Sequence, residues 1–161
     1  MNFKDPWITN VNFRDDMFYS DIEDRNSDQY ELIMKFMFHL AVCHTVIIQN
    51  ENDETGKRQI TYSASSPDEL ALVNAARYFG FCFKDWDADN NISIEFRNVL
   101  NWESMPVVFK FQLLNVIEFS SARKWMTVIV KTPDGNIKAL VKGADSIIQA
   151  RLSDSNSPVF N

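Results

Sequence analysis

The chain has 161 residues, a formal net charge of -6 and a pI near 4.9, so it is one domain's worth of polypeptide with an acidic body. Hydrophobic residues make up 45% and aromatics 13%, with 13 phenylalanines, which argues against disorder and for a packed core. The charge argues against broad affinity for nucleic acid or anionic lipid, so any anion site must be a local cluster of cations.

Met1 to Asn10 carries Lys4, Asp5 and Pro6 and has no apolar signal core. Asn10 to Asp28 mixes aromatic and acidic residues without periodicity, and residues 1–28 are expected to form an irregular lead-in. From Gln29 to about Cys43, Leu32, Ile33, Phe36, Met37 and Leu40 recur at helical spacing. The densest apolar stretch, Phe36 to Ile48, is broken by His39 and His44 and is too short to span a bilayer. Only Cys43 and Cys82 are present, which suits reduced thiols in a cytosolic setting.

Thr45 to Gln49 reads as a short strand, Asn50 to Arg58 with Gly56 as a loop, and Gln59 to Tyr62 as a second strand. A strong helix start follows: Ser66 caps, Pro67 suits the first turn, and Glu69 completes a capping box. Leu72, Ala75, Ala76 and Phe79 mark the expected buried stripe, and Gly80 a left-handed stop. Phe81 to Phe83 and Ile92 to Phe96 read as strands around a turn.

From Val107 to Lys142 the pattern predicts a three-strand meander. Val107, Phe109, Phe111, Leu113, Ile117 and Phe119 alternate in the first strand, with Asn115 the exception, and its length predicts a bend or break. The second strand runs from about Trp125 to Val130. The Pro133-Asp134-Gly135 turn leads to the third, Ile137 to Lys142. Asp145 or Ser146 is expected to cap a short helix running to Leu152, and residues 153–161 to form a flexible tail. The fold class is therefore α+β: an antiparallel meander flanked by helices, with the domain proper spanning residues 29–152.

If the three strands are sequential antiparallel neighbours, Phe119, Lys124, Trp125 and Lys142 lie at one edge of the sheet, with the helix start at Gly143 to Asp145. An aromatic face, two ammonium groups and free backbone donors suit a purine and its phosphates. Each residue also has a structural reading. Phe119 continues an apolar alternation and suits a core. Lys124 and Lys142 suit solvated strand ends. Glu69 is explained by the capping box, and Asp145 by capping alone.

Other chemistry finds less support. His39 and Cys43 are four apart on a helix and His44 follows, but a structural zinc site needs four ligands, Cys82 is the only other thiol, and no metal is expected. No phosphate-cradling glycine loop or nucleophile elbow is present, and no carboxylate pair stands out as acid and base. No catalytic residue is assigned.

Three stretches together carry a resemblance. Ser66-Pro67-Asp68-Glu69-Leu70-Ala71-Leu72, with Ala75-Ala76 and Gly80-Phe81 after it, resembles the SPDE-x-AL segment of lipid-flippase (P4-type) ATPases. Leu114 to Lys124 is similar to that family's LNVLEF-S-x-RK segment, and Val141 to Ser146 matches its KGADS motif. Phe38 to Thr45 resembles the helix-to-strand entry of the same nucleotide-binding domain. The resemblance covers about Phe36 to Leu152.

The resemblance implies an ATP-binding module that presents Mg-ATP to an aspartate on another domain of a phospholipid-transporting pump. By it, Phe119 stacks on adenine, Glu69 contacts the adenine amino group, Lys124 and Lys142 line the pocket, and Gly143 and Ala144 form its floor. Asp68, Ser121, Arg123 and Trp125 are secondary candidates. The implied partners are ATP and the pump's phosphorylation and actuator domains, at the cytosolic face of a membrane. No nucleic acid or direct membrane insertion is implied, and the chain itself is expected to be monomeric. Trp125 departs from the family, which usually has a cation there. No Asp-Lys-Thr-Gly-Thr segment is present, and the family's domain continues past KGADS. A partial pocket without hydrolysis is therefore expected. The alternative is a degenerate or free-standing domain used for protein interaction.

Overall fold

The computed structural model describes residue 13 and residues 15–52, 56, 58–98, 101 and 104–152. Most of the expected lead-in and all of the expected tail lie outside these. Within the lead-in, however, Asp16–Glu23 is a helix, α1. Asp15 starts it by accepting from the amides of Met17 and Phe18, a local cap that overrides weak periodicity.

Helix α2 spans Asp28–Val42, with Ser27 as its cap. Its buried face is Ile33, Met37, Leu40, Ala41 and Val42, whereas Leu32 and Phe36 are exposed. Two of the five expected stripe positions thus face outward, and the buried face runs on to Ala41 and Val42 instead. Strands β1 (Ile47–Asn52) and β2 (Arg58–Ser63) form an antiparallel hairpin. Helix α3 spans Pro67–Tyr78, and buries Val73 and Ala76 while Leu72 faces solvent. Gly80 closes it at φ 92°, with its amide donating to the Arg77 carbonyl at 3.0 Å.

The sheet is larger than the expected meander. Strands β3 (Phe81–Trp86), β4 (Asn91–Phe96), β5 (Val107–Ile117), β6 (Trp125–Lys131) and β7 (Ile137–Gly143) form one antiparallel sheet in sequence order. The predicted break in β5 is a shift of register between Leu113 and Asn115 opposite β6. One sheet face carries Phe81, Phe83, Ile92, Ile94, Phe111, Met126, Val128 and Val130 into the core under α2 and α3. Phe38 fixes α2 on it, with ring centroids 4.9 Å from Phe81 and 4.8 Å from Phe109.

The hairpin is tied on by side chains. Buried Arg77 donates to the Ile60 carbonyl at 2.8 Å, and the Tyr62 hydroxyl to the Phe83 carbonyl at 2.7 Å. Helix α4, Asp145–Gln149, follows β7 directly. Its N-cap is Ala144, without a side-chain cap bond, rather than Asp145 or Ser146. The Asp145 carboxylate instead accepts from the next amide, Ser146, at 2.6 Å.

Candidate functional site

Strand register builds the site. Ile117, Thr127 and Val141 stand abreast across β5, β6 and β7, and Trp125 pairs with Gly143 and Met126 with Lys142. Phe119 lies two residues beyond Ile117, so it leaves the sheet at the end where β6 begins and β7 finishes. Phe119 is 59% exposed. The apolar alternation therefore does not carry Phe119 into the core, because β5 ends at Ile117 and the chain turns away.

Lys142 is directed to the helix-covered face with Met126, and there it meets Glu69. Its ammonium donates to Oε1 of that carboxylate at 3.1 Å, with the two side chains only 17% and 8% exposed. Neither structural reading survives: Lys142 is not a solvated strand end, and Glu69 does not complete a capping box. Ser66 Oγ accepts from the Glu69 amide at 3.3 Å. The Glu69 carboxylate, however, is taken by the Thr45 amide (3.2 Å), the Thr45 hydroxyl (2.9 Å) and Lys142. Burial alone pushes the Glu69 carboxyl up, but the Thr45 bonds and the Lys142 charge outweigh it and hold the group below the ordinary glutamate value.

A neutral polar cluster backs this pair. Burial drives His44 down to about 4. Its Nε2 bonds the Ala41 carbonyl at 2.9 Å, and its Nδ1 accepts from the Val46 amide at 3.1 Å. Both nitrogens are thus committed to backbone. Burial raises the Cys43 thiol to about 11, and the thiol donates to the Leu140 carbonyl at 3.3 Å. Among the described residues no group of three or more His, Cys, Asp or Glu side chains could hold a metal ion.

Lys124 sits at the opening of β6 with φ 61°, a left-handed conformation unusual for lysine. Its amide donates to the Ser120 carbonyl at 2.7 Å, and its carbonyl accepts from the Ala144 amide at 2.9 Å. Those two bonds hold the strained residue in place. Gly143 has a packing reason of its own. A Cβ there would stand 2.5 Å from the Lys124 carbonyl oxygen and 2.5 Å from the Trp125 Cβ. Asp68, Ser121, Arg123 and Lys124 are exposed, while Trp125 and Ala144 are half-buried. The expected free donors at the start of α4 are reduced, since Asp145 occupies the Ser146 amide.

Chemically, an exposed ring, a paired ammonium and carboxylate, and exposed Arg123 and Lys124 suit an aromatic base carrying phosphates. Sequence reading missed two participants. Thr45 reads as the start of a strand and the end of the Phe38 to Thr45 resemblance, and no spacing rule links it to Glu69, 24 positions away. Arg151, which lies over Trp125, was likewise invisible without the fold. A separate groove of about 560 Å³ between the hairpin and β3, lined by Ile47, Ile60, Lys84 and Trp86 among others, shares no residue with this set.

The sequence matches the profile of the P-type ATPase, cytoplasmic domain N, over residues 32–156. The chain belongs to that family. The domain is 39% identical over 135 residues to the human protein named phospholipid-transporting ATPase IC, covering 84% of this chain and 10% of that protein. It is 42% identical over 154 residues to the Arabidopsis thaliana protein named probable phospholipid-transporting ATPase 12, covering 94% and 12%. To the Schizosaccharomyces pombe protein named phospholipid-transporting ATPase dnf1 it is 43% identical over 122 residues, covering 75% and 8%. The chain thus spans about a tenth of the length of these relatives. The α+β architecture with a single large antiparallel sheet is that of an N domain. Among the described residues no helix is long and apolar enough to cross a membrane.

Proposed function

We propose that this N domain binds ATP for a phospholipid-translocating pump at the cytosolic face of a membrane, with residues 29–152 as the nucleotide-binding unit. It holds Mg-ATP so that the terminal phosphate reaches an aspartate on the phosphorylation domain, and it hydrolyses nothing alone. Phosphoryl transfer depends on orientation and charge neutralisation more than on covalent protein chemistry, so a separate holding module suits it.

The observation that carries this reading is the exposure of Phe119, a large ring left in solvent where the pattern would have buried it. Its open face is available for stacking on adenine. Glu69 and Lys142 supply an acceptor and a donor side by side, which suits the edge of a base. Because that pair is close to neutral, the phosphates rely on Lys124 and Arg123. Asp68, Ser121 and Trp125 flank the set, and Gly143 and Ala144 form its floor.

Titration of the 15N-labelled chain with ATP tests the reading. Shifts at Phe119, Lys124 and Lys142 are expected, and unchanged spectra at millimolar ATP would refute it. Thermal melts separate it from an interaction module, because only a nucleotide-binding domain is stabilised by added ATP.

A further inference from the structure

Thr45 is the exposed member of a run that is otherwise sealed, since Cys43, His44 and Val46 around it are fully buried. His44 brackets it. The imidazole bonds the Ala41 carbonyl through Nε2 and accepts from the Val46 amide through Nδ1, so the backbone on both sides of Thr45 is tied to one buried ring. Two donors of this one residue then meet one carboxylate. The Thr45 amide donates to Oε1 of Glu69, and the Thr45 hydroxyl to Oε2. The last side-chain torsion of a glutamate is otherwise broad, and a carboxylate held at both oxygens keeps one orientation.

A carboxylate offers about four acceptor sites, and a lysine ammonium about three donors. Oε1 takes both the Thr45 amide and Lys142, whereas Oε2 takes the Thr45 hydroxyl alone. Among the described residues, Oε2 therefore keeps an acceptor site and Lys142 keeps donors to spare. The oxygen with that spare site is the one bonded to an exposed residue. Burial favours the neutral acid, but the Thr45 bonds and the Lys142 charge outweigh it and keep Glu69 charged, so it can only accept. Adenine presents an amino donor at its 6-position beside the ring N1 acceptor, which complements a carboxylate oxygen next to an ammonium. Guanine carries an oxygen at the 6-position, which the carboxylate would repel.

We infer that Thr45 is the positioning residue of the base site: by holding both oxygens of Glu69 it presents Oε2 as a fixed acceptor, which selects a 6-amino purine over a 6-oxo purine. The inference rests on the nucleotide reading above and deepens it by naming the residue that sets the choice of base. Thr45 bonds the carboxylate and acts through it. Of the donors on Glu69, one is backbone and one is the Lys142 ammonium. The Thr45 hydroxyl is the donor that a side-chain change removes without leaving a charge unpaired.

The test measures binding of ATP, of purine riboside triphosphate (ATP without its 6-amino group), of GTP and of inorganic tripolyphosphate to the full chain, wild type against Thr45→Val and Thr45→Ser. Wild type should prefer ATP to the deaminated analogue about tenfold, one hydrogen bond to a charged acceptor, and should bind GTP more weakly than either. In Thr45→Val the preference for ATP over the analogue should shrink to about twofold, a coupling between the two deleted groups. Thr45→Ser, which keeps the hydroxyl, should restore most of it, and tripolyphosphate should bind all three proteins alike. A preference that Thr45→Val leaves intact overturns the inference while the nucleotide reading stands. Equal weakening of every ligand in Thr45→Val shows a structural role alone and also overturns it. Wild-type protein that binds neither ATP nor the analogue overturns both readings. Should Thr45→Val fail to fold, wild type decides, and equal affinity for ATP and the analogue overturns the inference.

Discussion

Thr45 donates to Glu69 twice, from its amide to Oε1 at 3.2 Å and from its hydroxyl to Oε2 at 2.9 Å. With Lys142 bonded to the same carboxylate, this residue pair joins the end of α2, the start of α3 and the last strand of the sheet. Removing one partner leaves a charge with little access to water. Glu69→Ala should therefore cost about 2–4 kcal/mol in urea unfolding, whereas exchanging both Glu69 and Lys142 for apolar residues should cost less than the two single changes summed. Additive losses would mean the pair is not coupled. The folded carboxyl lies below its unfolded value near 4.5. Its stabilising contribution is thus complete above that pH and lost as pH falls through the folded value.

His44 gives a second pH dependence. Burial, with the nearby Lys142 charge adding to it, lowers the folded value to about 4 from an ordinary 6.5. Between those values the unfolded chain takes up a proton that the folded chain refuses. Stability should be full above pH 6.5 and decline toward pH 4, by about 3 kcal/mol over that span. Urea midpoints at pH 7.5 and pH 5 check this. Equal values would show that His44 is hydrated or charged in the native state.

Thr127 is 4% exposed, and its hydroxyl oxygen has no hydrogen-bond partner. Thr127→Val keeps the shape and removes the unsatisfied group. It should be neutral or stabilise the domain by about 1 kcal/mol. A loss of more than that in thermal or urea unfolding would mean the hydroxyl has a partner.

Phe119 separates folding from binding. Because its ring is exposed, Phe119→Ala should change stability by less than about 0.5 kcal/mol. The same change should weaken ATP by about 1–2 kcal/mol if the ring stacks on the base. Calorimetric titration measures the second effect on protein that a melt shows to be intact.

Local chemistry determined much of this protein in one dimension. Hydrophobic period, the Ser66-Pro67 start, the Gly80 stop and the Pro133-Asp134-Gly135 turn were legible because each acts within a few residues of itself. The edge shared by Lys124, Trp125, Lys142 and Gly143 was legible too, since antiparallel neighbours with short connections admit few registers. Folding in three dimensions decided the rest. Glu69 and Lys142 are 73 positions apart, and the carboxylate abandoned its local capping role because a buried ammonium and two Thr45 donors bind it more strongly. Phe119 left the core because β5 stops two residues short of it, and Arg151 lies over Trp125 only because the chain folds back there. Such choices turn on which distant groups compete for the same atom, and a pattern along the chain contains no term for that competition.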